Sequence, residues 1–334
     1  MQKTLSLSEE IRIEAERLHK NLKHLEYSVN ECMLFAAQTL RINKLKKEKN
    51  AVILAHNYQR PEILFGIADH IGDSFALSVA AKNTKADIIL FCGVHFMAET
   101  AKILNPEKTV LIPSLEAGCS LADGITKEDV LALKKKHPNV PVVTYINTSA
   151  EVKAESDVIC TSANALKVIE SLPGKEVIFL PDEFMGKNLQ NLTKKKVHYF
   201  NAKCIVHEAF TPEQISAYKE QYPEMKILSH LECTPEVIAL SDLAGGTSDM
   251  YNYIKNSNAK RFMLVTECGM SDLLRARFPE KEFINPCSVC PYMKQIHLDN
   301  TLLALEKEQF KVEISEETRT RAQKALDRMI EIGK

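Results

Sequence analysis

The sequence has no surplus of charge of either sign: 43 basic and 44 acidic residues leave a formal net charge of -1. That removes any global attraction to nucleic acid or an anionic membrane, although a local basic pocket stays open. No apolar run approaches the roughly 20 residues that a membrane span requires. The opening MQKTLSLSEEIRIEAERLHK lacks the apolar stretch of a secretory signal and is too acidic for a transit peptide. A cytoplasmic, reducing setting is therefore expected. There the nine cysteines make an improbable disulfide framework, and clustered thiols are better suited to metal or redox chemistry. Roughly half of them are expected to be buried filler. What is present is an ordinary globular mixture, 45% apolar and 26% charged over 334 residues. That length holds two or three domains and a large core without disulfides.

Both flanks read as helix. Residues 8–48 carry apolar side chains at helical spacing, with Ser8 as the expected N-cap of a first helix. A second helix ends in the KLKKEK run, expected to be a solvated helix end. The tail TLLALEKEQFKVEISEETRTRAQKALDRMIEIG is also helical in pattern and is expected to pack on the first unit.

Between the flanks one plan recurs three times. AVILAHNYQ, VPVVTYINTS and KILSHLECT each run from apolar residues into polar, reactive ones. ADHIGDSFALS, ESDVICTSANAL and LSDLAGGTSDMYNY each place a hydroxyl at the start of an expected helix. DIILFCGVHFMAE, EVIFLPDEFMGKN and RFMLVTECGMSDL each give strand, loop and methionine, and each unit closes on a strand followed by a cysteine. Cys119, Cys204 and Cys290 lie 85 and 86 residues apart. Met97, Met185 and Met270 lie 88 and 85 apart, as do Ser74, Ser162 and Thr247. Landmarks in matching order argue for triplication of one unit. Alternating strands and helices predict α/β units, each a parallel sheet covered by helices on both faces. Right-handed crossovers put the strand C-terminal ends, with the reactive residues, on one edge. The expected architecture is three αβα units around a pseudo-threefold axis with helical N- and C-terminal flanks. The expected units are 1–125, 126–210 and 211–290, with 291–334 packing back on the first.

Three thiolates brought to one axis leave a fourth ligand position open. Catalytic zinc uses that arrangement, and so does a [4Fe-4S] cluster with one iron free to act as a Lewis acid. All-sulfur ligation favours iron–sulfur. Cys287-Ser-Val-Cys290 is the sole CxxC. The register singles out Cys290, and a Cys287–Cys290 disulfide beside the centre stays an alternative. Cys32 is expected in the core, and Cys92, Cys160 and Cys268 as packing or pocket wall. On the same edge stand His56 and Tyr58, Tyr145 and Asn147, and His230 and Glu232, types suited to proton transfer and hydrogen bonding. Ser74, Ser162 and Thr247 could cap helices or bind an anion at helix starts, or do both. His207, three residues past Cys204, is expected near the metal centre.

HNYQ at 56–59, IGDS at 71–74, the stretch 93–123, TYIN at 144–147, CTSAN at 160–164, KCIVHEAF at 203–210, GGTSDM at 245–250 and CPYMK at 290–294 resemble the quinolinate synthase (NadA) family. The resemblance implies a triplicated α/β fold around a [4Fe-4S] cluster. It also implies condensation of iminoaspartate (iminosuccinate) with dihydroxyacetone phosphate to quinolinate, water and phosphate, in NAD biosynthesis. Cluster ligands would be Cys119, Cys204 and Cys290. Substrate-binding positions would be His56, Ser74, Tyr145, Ile146, Asn147, Ser162, His207, His230, Leu231, Glu232 and Thr247. Glu232 and Tyr58 would move protons, and Tyr145, His230 and His56 would assist. Transient contact with an imine-producing L-aspartate oxidase or dehydrogenase would be in keeping. Two departures stand out. The family's usual His-Pro-Glu is His230-Leu231-Glu232, which loses proline's fixed φ and predicts a looser loop. Its usual Gly-Ser-Thr-Ser is Gly245-Gly246-Thr247-Ser248. A zinc-dependent lyase or hydrolase and a non-catalytic carboxylate- or phosphate-binding protein are the competing readings.

Overall fold

A computed structural model describes residues 6–333 of the chain. Its twelve strands are β1 (Ala51–His56), β2 (His70–Gly72), β3 (Ile88–Cys92), β4 (Thr109–Leu111), β5 (Val142–Tyr145), β6 (Val158–Cys160), β7 (Glu176–Leu180), β8 (Lys196–Tyr199), β9 (Lys226–His230), β10 (Leu243–Gly245), β11 (Arg261–Val265) and β12 (Glu282–Ile284). They form three four-stranded sheets with one topology: β2-β1-β3-β4, β6-β5-β7-β8 and β10-β9-β11-β12. Every pairing is parallel. The central strands are almost wholly buried, as sheets covered on both faces require.

The repeat extends to single hydrogen bonds. Asp69, Asp157 and Asp242 each stand just before the second strand of a unit. Each takes the backbone N–H of its first strand, from Ile53 at 2.8 Å, Val142 at 2.7 Å and Ile227 at 2.9 Å. A carboxylate accepting a backbone N–H is a strong local staple, and it fixes the same offset between first and second strands in each unit.

The flanks depart from expectation in detail. The first helix is Leu7–Leu22, and Ser6 rather than Ser8 caps it, accepting the N–H of Glu9. Ser28 opens the second helix, Val29–Glu48, with a capping box to Glu31. The Lys-rich end is not simply solvated. Lys46 donates to the Ile67 carbonyl and to Asp69, and Lys49 to Glu308. These bonds use the cations to fasten the helix to the first unit and to the C-terminal tail. In the tail, the helix Leu298–Lys307 lies on Val29–Glu48. The helix Glu316–Gly333 instead packs on Ala150–Ala154 and β6 of the second unit, where Arg321 reaches buried Glu155 at 2.6 Å. Its apolar stripe, including Leu326 and Met329, joins one large core shared by all three units. Among the described residues no helix is long and apolar enough to cross a membrane.

Candidate active site

The first strand of every unit ends on a reactive residue: β1 on His56, β5 on Tyr145 and β9 on His230. All three residues border one cavity, together with Tyr58, Ser74, Asn147, Ser162, His207, Glu232 and Thr247. Cys119, Cys204 and Cys290 line the same cavity. Two expected members do not. Ile146 and Leu231 are buried in the apolar core, because each follows a strand-end residue that faces the cavity and points away from it.

His56 and His230 are built alike. Each accepts, on Nδ1, the backbone N–H two residues ahead: Tyr58 at 3.2 Å and Glu232 at 3.3 Å. That places the remaining proton on Nε2 as a donor. Burial, with neighbouring positive charge, pushes their pKa values down, to about 3 for His56 and about 4 for His230, so both rings are neutral.

Glu232 sits at the centre of the polar network and is 3% exposed. Tyr145 donates its phenol proton to Oε1 at 2.5 Å, and His207 Nδ1 lies 2.8 Å from Oε2. Burial alone would raise the Glu232 carboxyl. The two histidines and these hydrogen bonds outweigh it and hold the group below the usual carboxylate range. Burial beside that carboxylate pushes the phenols of Tyr58 and Tyr145 well up, so both stay protonated. The His207 ring stacks on that of His230 at 4.5 Å.

The loop carrying Glu232 is not loose. Asn188 donates both amide protons to the carbonyls that flank Glu232, Leu231 at 2.9 Å and Cys233 at 2.8 Å. Leu231 also donates its N–H to the Gly245 carbonyl at 3.2 Å, a bond closed to proline. A brace of hydrogen bonds thus stands where a proline would have fixed φ.

The three expected hydroxyls do not cap helices. Asp73 caps the helix Ser74–Asn83, Asn164 precedes Ala165–Ser171, and Gly246 precedes Thr247–Asn256. The hydroxyls are thereby free for the cavity. Thr247 Oγ1 accepts from Asn57 at 2.9 Å, which leaves its own proton to donate. Ser162 lies so close to Gly246 that a Cβ there would meet its Oγ at 2.5 Å. Asn147 Oδ1 is buried and has no protein partner. The three hydroxyls, with the two Nε2–H donors, suit carboxylate or phosphate oxygens, and Asn147 Oδ1 offers an acceptor to a substrate N–H or O–H.

The cysteines share a second construction. Backbone N–H groups a few residues ahead point at each sulfur: Leu121 and Ala122 at Cys119, His207 at Cys204, and Tyr292 and Met293 at Cys290. None of the three is in a disulfide. Burial pushes the Cys119 thiol up to about 12 and raises the other two, and each feels a neighbouring cysteine or carboxylate. Such sulfurs become thiolates only against a compensating cationic centre. Three N–H-supported thiols on one cavity fit an iron–sulfur cluster with one open iron. Cys160 has burial alone acting on it, and Cys32, Cys92 and Cys233 are buried away from the cavity.

The alternative Cys287–Cys290 pairing is not formed, and Cys268, expected as packing or pocket wall, is instead in a disulfide. Cys268 pairs with Cys287, because Glu267 and Ser288 lie side by side and bring the two cysteines together. Cys290 is left free. Sequence reasoning also missed Asp73, Phe96, Tyr292 and Met293 as lining residues, and Thr266 beside Tyr58 and His207. Asp73 was legible in IGDS as the residue before the hydroxyl. It binds Ser248 of the third unit at 2.5 Å and closes the wall between units.

Fold and cavity together define a class: a triplicated parallel α/β protein whose strand ends enclose one acid–base chamber floored by three thiols. Over residues 40–331 the chain matches the family described as Quinolinate synthetase A protein, NadA. It is 50% identical over 298 residues to quinolinate synthase 2 of Mesorhizobium japonicum, covering 89% of this chain and 92% of that protein. It is 49% identical over 302 residues to the quinolinate synthase of Agrobacterium fabrum, covering 90% and 88%. The quinolinate synthase of Sinorhizobium medicae is 46% identical over 331 residues, covering 98% and 91%. The chain belongs to the quinolinate synthetase A family.

Proposed function

We propose that this protein is a quinolinate synthase of NAD biosynthesis, condensing iminoaspartate with dihydroxyacetone phosphate to give quinolinate, phosphate and water. The observation that carries the reading is the placing of three N–H-supported cysteines and a buried Glu232–His207–Tyr145 network on one cavity. Cys119, Cys204 and Cys290 would hold a [4Fe-4S] cluster. When bound, that cluster supplies a Lewis-acidic iron for the loss of a hydroxyl.

The remaining work falls to side chains. The Nε2–H groups of His56 and His230 and the hydroxyls of Ser74, Ser162 and Thr247 bind carboxylate and phosphate oxygens. They hold the two reactants together, which supplies much of the acceleration. Glu232, ionised and fixed by two donors, takes a proton from carbon. Tyr58, kept protonated by burial, returns one. Tyr145 orients Glu232 and the substrate. The substrates, including an unstable imine supplied by an oxidase or dehydrogenase, fit a cytoplasmic enzyme.

The test is anaerobic turnover with imine generated in situ and dihydroxyacetone phosphate, following quinolinate and phosphate together. Equal yields of both are expected. Cluster-loaded protein that forms no quinolinate overturns the reading. A zinc enzyme is the second reading, favoured by one observation: ligand atoms of Cys204, His207 and Glu232 lie within 4.8 Å of one another. Zinc without iron or sulfide in anaerobically purified protein would establish it.

A further inference from the structure

Ser120 follows Cys119 and opens the short helix Ser120–Asp123. Its hydroxyl makes no bond within that helix and crosses to the second unit instead. There it donates to the Lys203 carbonyl at 3.0 Å and accepts the N–H of Ile205 at 3.2 Å. Lys203 and Ile205 stand on either side of Cys204. One side chain, next to the first unit's cysteine, thus grips the backbone on both sides of the second unit's cysteine. Ser120 also borders the cavity, but its one proton is committed to Lys203 and cannot be given to a substrate.

The surroundings support the same contact. Gly124 ends the helix so near the second unit that a Cβ there would stand 2.9 Å from the Cβ of Ala202. Ala202 is pinned in turn. Its N–H goes to the Pro181 carbonyl at 3.2 Å, and its carbonyl accepts the N–H of Glu183 at 2.9 Å. The third cysteine loop meets the first by packing: the Tyr292 ring, two residues past Cys290, lies within van der Waals range of Gly118. The residues after Cys204 and Cys290 are Ile205 and Pro291, which carry no hydroxyl, so the clasp has no counterpart at that register position in the other units.

We infer that Ser120 is a positioning residue for the iron–sulfur centre: its hydroxyl ties the first cysteine loop to the second and holds Cys119 and Cys204 at one spacing before any cluster is bound. This rests on the reading of the three thiols as cluster ligands. Ligands from separate units can share one centre only if their loops keep a fixed separation, and groups behind metal ligands commonly supply that order.

The experiment compares wild type, Ser120→Ala and Ser120→Thr. In cluster-free protein, hydrogen exchange reads the clasp directly. The Ile205 N–H should exchange about tenfold faster in Ser120→Ala, because its acceptor is gone. In anaerobically loaded protein, iron release to bathophenanthroline should be about tenfold faster, the low end for groups that support metal ligands. Quinolinate formed per chain should fall in step with the iron retained, with KM for dihydroxyacetone phosphate moved less than about threefold. Ser120→Thr keeps the hydroxyl and should recover most of the iron retention and most of the Ile205 protection. If the alanine variant does not fold, Ser120→Gly takes its place. Unchanged Ile205 exchange, iron release at the wild-type rate, failure of threonine to rescue, or a raised KM with iron intact would overturn the inference. Cluster-loaded wild type that forms no quinolinate sinks the functional reading instead, and exchange and iron release still decide the role of Ser120.

Discussion

Two neutral histidines sealed in one cavity make the protein sensitive to mild acid, and the size of the effect can be worked out. His56 and His230 are 5% and 4% exposed, with pKa values lowered from 6.5 to about 3 and about 4. A depressed histidine pKa means that the unfolded chain binds a proton before the folded one does. The stability this contributes is present above pH 6.5 and is lost as pH falls toward the folded values. At pH 5 each histidine should remove about 2 kcal/mol, and the pair about 4 kcal/mol, a large share of a typical net stability. Asp182 acts with the opposite sign, because burial holds its carboxyl well above the usual range. Glu232, whose pKa is lowered, adds to the acid loss only as pH falls through 4.5 and below. A comparison of variants cancels both. His56→Asn and His230→Asn together keep an acceptor for the backbone N–H groups and remove the titration. Urea unfolding should be followed by far-ultraviolet circular dichroism, because the chain has no tryptophan. Between pH 7.5 and pH 5 the wild type should lose about 4 kcal/mol more than the double variant. Equal losses in the two proteins would refute the neutral, Nε2–H assignment.

Other outcomes follow from the same contacts. Glu232→Gln removes the only charge in the network while keeping its volume, and kcat should fall about 10²- to 10⁴-fold with substrate still bound; unchanged turnover in a steady-state assay removes Glu232 from the mechanism. Asn188→Ala frees two carbonyls beside Glu232, and a loss of about 1–3 kcal/mol in stability with about tenfold in kcat is expected from unfolding curves and kinetics. Cys268 and Cys287 should appear as one linked pair in non-reducing peptide maps, and Cys268→Ser should cost up to about 3 kcal/mol for a bridge spanning 19 residues; a Cys287–Cys290 peptide would contradict the geometry.

Much of this site is legible in the sequence. The repeat spacing located the strand ends, so His56, Tyr145, His230 and the three cysteines were found together. It failed where a residue acts alone in its unit. Thr266 has Gly93 and Pro181 at the equivalent distance before the repeat methionines, so no register could mark its hydroxyl. The caps misled for a related reason. At Asp73 and Gly246 the neighbour of the expected residue takes the cap, and a pattern of hydroxyls cannot tell one position from the next. The resemblance also points to Ile146 and Leu231, whose side chains alternation along an extended chain turns into the core. The Cys268–Cys287 pair joins two loops of the third unit that only folding brings side by side.

The central claim is that three cysteines, one from each unit, hold a single iron–sulfur centre. Iron and sulfide counting on anaerobically purified protein tests it most directly, with Cys119→Ala, Cys204→Ala and Cys290→Ala set against the buried control Cys160→Ala. Wild type and control should carry about four iron and four sulfide per chain, and each of the other three should lose them with the brown colour. Full iron and colour in any one of those three, or zinc in place of iron throughout, would contradict the account.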